Sequence, residues 1–151
     1  MAKRKTKTPK VPPSLPHVQQ GFLSPKRGVP SVITRPPYAQ TGDPGPSILP
    51  LVRTSDEIAS MRKAGAIAAE GLLHVGENVT PGITTDKLDQ IAHDEIVRLG
   101  AYPSPLNYRG FPKAVCTSVK EVVCHGIPDS RQLQEGDIIN IDVTVNFEGV
   151  Q

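Results

Sequence analysis

The stretch Glu121-Val122-Val123-Cys124-His125-Gly126-Ile127-Pro128-Asp129, followed by Gly136-Asp137-Ile138-Ile139-Asn140-Ile141-Asp142, decides how this chain is read. Two apolar segments flank a turn-rich connector and carry two chemically capable side chains, His125 after the first and Asp142 within the second. From Ile138 to Phe147 the residues alternate: Ile139, Ile141, Val143, Val145 and Phe147 fall on one face, and Asn140, Asp142, Thr144 and Asn146 on the other. This spacing predicts a strand with one apolar and one polar face. Five apolar residues behind it predict a central strand, where a carboxylate has to be paired, hydrogen-bonded or metal-bound. On an edge strand the same Asp142 would be a solubilising group. His125 reads equally as a structural or a chemical residue, although Gly126 and Pro128 hold it beside a fixed turn, where functional groups concentrate.

Around this stretch, residues 114–119 and 121–124 read as strands, Gly136-Asp137 as the start of the last strand, and Glu148-Gly149 as the turn of a hairpin. Pro128 fixes its own backbone and pushes Ile127 toward an extended conformation. Upstream, Thr54-Ser55-Asp56-Glu57 has the form of a capping box. Ile58, Met61, Gly65, Ala68, Leu72 and Val75 then recur at helical spacing, with Gly76 as terminator. Thr84 or Thr85 can cap a second helix whose inward stripe is Leu88, Ile91, Ala92, Ile96 and Leu99. Asp89, Asp94, Glu95 and Arg98 are expected on its wet face, with Gly100 at its end. His74 and His93 have no second histidine at i+3 or i+4, so they read as surface or boundary histidines and not as metal ligands. Helices followed by strands predict a mixed α/β domain of the α+β kind over residues 54–151.

Residues 1–53 differ in character. Nine of the chain's 17 Lys and Arg residues lie there against one acid, Asp43, whereas the remainder has eight basic residues against fourteen acidic ones. Eleven of the 16 prolines fall in the same segment. With no sustained periodicity, residues 1–53 are expected to be a disordered, basic, Pro-rich arm. Pro9-Lys10-Val11-Pro12 and Pro13-Ser14-Leu15-Pro16 have the spacing that SH3-like aromatic grooves accept, although a plain solvated linker is the favoured reading. The basic end suits phosphates such as those of ribosomal RNA, read without sequence specificity. Two cysteines, Cys116 and Cys124, are too few for a disulfide framework, which points to a reducing compartment. No apolar run reaches the roughly 20 residues of a membrane span and no apolar signal core opens the chain, so a cytoplasmic protein without a membrane partner is expected.

The run Ala114-Val-Cys-Thr-Ser-Val-Lys-Glu-Val-Val-Cys-His-Gly-Ile-Pro-Asp129, with Gly136-Asp-Ile-Ile-Asn-Ile-Asp-Val-Thr144, resembles the type I methionine aminopeptidases. Met61-Arg-Lys-Ala-Gly65 and Pro81-Gly-Ile-Thr-Thr85 belong to the same likeness, which starts near Ser55 and runs to Gln151. The Pro-rich arm resembles the extended form of that enzyme found in actinobacteria. The resemblance implies a pita-bread fold of two pseudo-symmetric halves and removal of the initiator methionine from nascent peptides. It also implies a pair of divalent metal ions, Co, Mn, Fe or Zn. Position by position, Asp142 matches a metal-ligating aspartate and His125 the histidine that hydrogen-bonds the scissile amide and assists the leaving group. Tyr108, Phe111 and Cys116 match the pocket for the methionine side chain, with Phe111 where some relatives have tyrosine and Pro105 where many have cysteine. The family's other ligands have no counterpart among these residues. The chain is therefore expected to be the amino-terminal half of such an enzyme, inactive alone and prone to association. Two other readings stand beside this one: a non-catalytic binding module that keeps the pita-bread fold, against which the retained His125 and Asp142 speak, and a ribosome- or RNA-tethering fragment that works through the basic arm. A prolidase-type relative shares the fold, but the His-Gly-Ile-Pro-Asp run favours methionine removal.

Overall fold

The computed structural model describes residues 17–46 and 52–151. Their elements, in chain order, are a short helix α1 (Tyr38–Thr41), two long helices α2 (Ser55–Gly76) and α3 (Thr85–Arg98), and four short strands. The strands are β1 (Tyr102–Pro103), β2 (Cys116–Val119), β3 (Ile139–Asp142) and β4 (Val145–Asn146). A single 3-10 turn, Tyr108–Gly110, lies between β1 and β2.

The start of α2 is the capping box anticipated above: the Thr54 hydroxyl accepts from the Glu57 N–H at 3.2 Å and the Glu57 carboxylate from the Thr54 N–H at 2.7 Å. The buried face differs from the expected one. Ala64, Gly71 and Val75 are buried, with Ile67 and Ala68 packed beside them, whereas Ile58, Met61 and Leu72 are exposed. The cause is how closely α2 approaches its neighbours. A Cβ at Gly71 would stand 3.4 Å from Ile96 Cγ1 and 3.9 Å from Val143 Cγ1, so the smallest side chains must turn inward and the larger ones outward.

Thr84, and not Thr85, caps α3, accepting from the Lys87 N–H at 3.1 Å. Leu88, Ala92 and Ile96 face the core as expected. Asp89 and His93 share that side and are buried, contrary to the expected wet face for Asp89 and surface or boundary setting for His93. Asp89 tolerates burial because one of its oxygens accepts from the N–H groups of Ala114 and Val115 at 2.7 and 3.3 Å and the other accepts from Arg27 at 3.1 Å.

The expected continuous strand over 138–147 is divided. β3 pairs antiparallel with β2, Cys116 opposite Asp142 and Val119 opposite Ile139, while β4 pairs with β1, Tyr102 opposite Asn146. Between them, at Val143 and Thr144, the chain changes partner, and the Thr144 carbonyl accepts from the Ser104 N–H at 2.9 Å. Among the described residues β3 therefore has a single strand partner, and the central position predicted for it is corrected to one in a two-stranded ladder. Residues 121–124 form no strand, since Lys120 adopts a positive φ of 55° and Val123 is turned out to solvent. The hairpin turn is present: Glu148 and Gly149 both have positive φ, the geometry of a tight primed turn, and Phe147 and Val150 exchange backbone hydrogen bonds across it. The core gathers Val75, Leu88, Ala92, Ile96, Val115, Val119, Leu133 and Val145 between α2, α3 and the ladders.

Residues 17–46 were expected to be disordered and instead lie along the folded body. The Gly21 N–H donates to Asp129 Oδ2 at 2.6 Å and the Phe22 N–H to Ser130 Oγ at 2.8 Å. Ser24 Oγ donates to Asp86 at 2.6 Å. Arg27 spans Asp86 and Asp89, each at 3.1 Å, and the buried Lys113 ammonium donates to Ser24 and Asp86. A second cluster, Ile33, Tyr38, Tyr102 and Leu106, buries the middle of the segment. Composition misjudged it because the segment needs no core of its own. It borrows one, and it docks on acids that the body supplies. The part of that expectation covering residues 1–16 and 47–51, including both Pro-x-x-Pro spacings, lies outside the described residues.

Candidate functional site

β2 is flanked on one edge by β3 and on the other by the segment at Gly126. The Thr117 N–H donates to the Gly126 carbonyl at 2.8 Å and the Gly126 N–H to Ser118 Oγ at 3.1 Å. The backbones come so close that a Cβ at residue 126 would lie 2.2 Å from the Thr117 carbonyl oxygen and 2.8 Å from its carbon. Only glycine fits there. That contact fixes the position of the preceding residue, His125, which takes the left-handed φ of 54° that side chains ordinarily avoid.

From the opposite edge comes Asp142. Its register partner is Cys116, and facing residues in an antiparallel pair carry their side chains on the same face of the sheet. Cys116 is thus bracketed by His125 and Asp142, and all three line one cavity of about 700 Å3. Tyr108 and Phe111 line it as well. The five site residues predicted from sequence thus converge on one space of the size that small ligands and side chains occupy.

The electrostatics separate their roles. Burial, together with the nearby Asp142 carboxylate, pushes the Cys116 thiol up to about 11. It is therefore protonated at neutral pH and acts as wall, not as nucleophile. Asp142 and His125 are both exposed, and both line the cavity. Tyr108 is 40 % exposed; its ring meets that of Tyr38 edge-on, centroids 5.2 Å apart and planes at 88°, and the Arg109 guanidinium stands 5.7 Å from its centroid.

A model of metallopeptidase family M24 matches residues 59–151, more than half of the sequence. The chain belongs to metallopeptidase family M24. It is 51% identical over 138 residues to methionine aminopeptidase 2 of Mycobacterium tuberculosis, an alignment spanning 91% of this chain and 48% of that protein. To the chloroplastic methionine aminopeptidase 1B of Arabidopsis thaliana it is 51% identical over 140 residues, spanning 89% and 37% respectively. Among solved structures, the methionine aminopeptidase of Rickettsia prowazekii superposes with a TM-score of 0.62 at 47% identity, covering 64% of this chain and 39% of that one. The fold is accordingly part of the pita-bread architecture of M24 enzymes. The chain spans less than half the length of these curated relatives.

Membership of a metallopeptidase family implies a divalent metal ion. The residues present do not fit one by themselves: among those described, no three His, Cys, Asp or Glu side chains are grouped so as to hold a cation. Asp142 has a protonated thiol beside it, and a thiol in that state is a poor ligand. No helix among the described residues is long and apolar enough to cross a membrane.

Two features escaped the sequence. Tyr38 lines the cavity from the segment assigned to a disordered arm. Its signal was slight, an aromatic residue directly after Pro36-Pro37 in a stretch almost free of large apolar groups. The buried ion cluster of Arg27, Asp86, Asp89 and Lys113 also went unseen, although Asp89 lies in phase with Ala92 and Ile96. Burial of Asp86 opposes ionisation, but hydrogen bonds from Lys113 and Ser24, with the Lys113 and Arg27 charges, outweigh it and hold that carboxyl below its ordinary value.

Proposed function

We propose that this chain recognises the amino-terminal methionine of a nascent peptide, as part of an aminopeptidase that removes it. The observation that carries this reading is the convergence of Tyr108, Phe111, Cys116, His125 and Asp142 on one cavity. Aromatic rings and a neutral thiol give a thioether a polarisable, apolar surround. At the rim, His125 is the group able to hydrogen-bond the scissile amide and to supply the proton its nitrogen takes on leaving. Asp142 offers one hard oxygen donor toward the divalent ions that this reading carries, a pair of Co, Mn, Fe or Zn. No three His, Cys, Asp or Glu side chains among the described residues are grouped to hold a cation, so the 151 residues are expected to bind methionine without hydrolysing its peptide bond.

The test separates binding from turnover. Titration of the chain with L-methionine amide should perturb the NMR signals of Cys116, His125 and Tyr108, and L-lysine amide should not; equal responses would sink the assignment. Incubation with Mn or Co and a Met-Gly peptide should release no methionine. Turnover that disappears in Asp142→Ala would show that the donor count misleads.

The surroundings belong to the same proposal. A cytoplasmic setting follows from unpaired cysteines and substrates emerging from ribosomes. A ribosomal contact through the basic start and an SH3-like partner for residues 9–16 fall outside the described residues and rest on composition alone.

A further inference from the structure

We infer that the short helix α1 is a working part of this cavity, and that Tyr38 positions Tyr108 within it. The wall formed by residues 107–111 is built on backbone that resists its own shape. Asn107 and Arg109 have φ of 63° and 49°, in the left-handed region that residues with a Cβ disfavour. Something has to hold them there; besides the turn's own backbone bonds, such as the Asn107 N–H to the Phe111 carbonyl, and the Lys26 ammonium on Asn107 Oδ1, the contacts that do so come from α1 and the glycine after it. Asn107 Nδ2 donates to the carbonyls of Tyr38 and Ala39 at 3.3 and 3.1 Å, the Ala39 carbonyl being one that so short a helix leaves without a partner. The Arg109 N–H donates to the Gly42 carbonyl at 2.8 Å.

Tyr38 joins this scaffold to the cavity. Its ring is 4 % exposed, packed with Ile33, Tyr102 and Leu106, and its hydroxyl donates to the Ser104 carbonyl at 2.8 Å. That ring meets the Tyr108 ring edge to face, at the nearly perpendicular angle that favours such pairs. Without Tyr38, the half-exposed Tyr108 ring loses its perpendicular aromatic partner and keeps the cover of Arg109. The proline-rich segment is thus a positioning element for ligand selection. The choice of probe below rests on the methionine reading, whereas the loop measurement does not.

The experiment uses the full chain, labelled with 15N. Amide hydrogen exchange at Arg109 and Phe111 is followed together with titration by L-methionine amide. Tyr38→Leu is expected to speed exchange at both amides and to weaken the probe about tenfold, the upper reach of an aromatic pair. Tyr38→Phe keeps the ring and should weaken it by less than Tyr38→Leu does, no more than about fivefold, the loss of one neutral hydrogen bond. Ile33→Ala removes volume from the same cluster without touching the loop; it should lower the unfolding midpoint yet leave loop exchange and affinity as in the parent. Unchanged exchange in Tyr38→Leu, or equal effects from Ile33→Ala, would overturn the inference. If the parent chain ignores methionine amide while loop exchange responds to Tyr38→Leu alone, the positioning role stands and the methionine reading falls.

Discussion

Gly126→Ala tests the geometry on which the site depends. The new methyl carbon would sit 2.2 Å from the Thr117 carbonyl oxygen, 2.8 Å from its carbon and 2.9 Å from Ser118 Cα. All three are backbone atoms of a paired strand, so none can swing aside as the end of a side chain would. Relief requires the 125–127 segment to move outward by about 1 Å, toward ordinary van der Waals separation. That movement stretches two hydrogen bonds, Thr117 N–H to Gly126 and Gly126 N–H to Ser118, each contributing about 1 kcal/mol. Adding the 1–3 kcal/mol typical of forced overpacking gives a destabilisation of about 3–5 kcal/mol, a large share of the stability of a small domain. Urea unfolding followed by circular dichroism reads the global loss, and the imidazole signals of His125 report the local shift. An alanine variant with the parent's midpoint and an unmoved His125 spectrum would refute the claim that close approach positions this residue.

Three further outcomes follow from the buried charges and the buried thiol. Arg27→Ala should cost about 2 kcal/mol in urea unfolding, because it strips the charged hydrogen bond from one oxygen of the wholly buried Asp89 and leaves Lys113 as its neighbouring cation; a loss under about 0.5 kcal/mol, the level of a surface pair, would show that the arm is not fastened there. Iodoacetamide at pH 7.5 should modify the exposed Cys124 well before the buried Cys116, whose thiol is pushed up to about 11. Since that folded value exceeds the ordinary thiol value of about 8.5, the thiol's contribution to stability is complete below pH 8.5 and fades as pH rises toward 11. Asp142→Asn should lower the Cys116 value, so that the alkaline loss starts at the same pH but levels off sooner and is smaller; an unchanged loss would mean that the two side chains do not face each other.

Local signals were legible wherever chemistry and geometry coincide over a few residues. The Thr54 capping box, the Glu148-Gly149 turn and the alternation through Ile139 and Ile141 are all read from neighbouring side chains, and each recurs in the fold. What sequence could not supply was decided between distant segments. The inward face of α2 was misplaced because apolar size suggested Met61 and Leu72, whereas proximity to Ile96 demands Gly71 and Ala64. Asp89 looked solvated until Arg27, 62 residues away, and the Ala114 amide supplied its partners. The strand through Asp142 was predicted central because its apolar face is continuous; the change of partner at Val143 depends on where β1 lies, which no local pattern encodes. The site residues were named by resemblance, and the cavity that gathers them adds Tyr38, to which no motif pointed.

The contact between α1 and the 107–111 wall carries an obligation that works in both directions. Whatever free energy the seated segment lends to a ligand in the cavity, the ligand must return to the seating of the segment. Occupancy is then readable far from the ligand, as reduced protease access around Gly42. Conversely, a partner that drew the proline-rich stretch away would loosen its grip on bound cargo by the same factor.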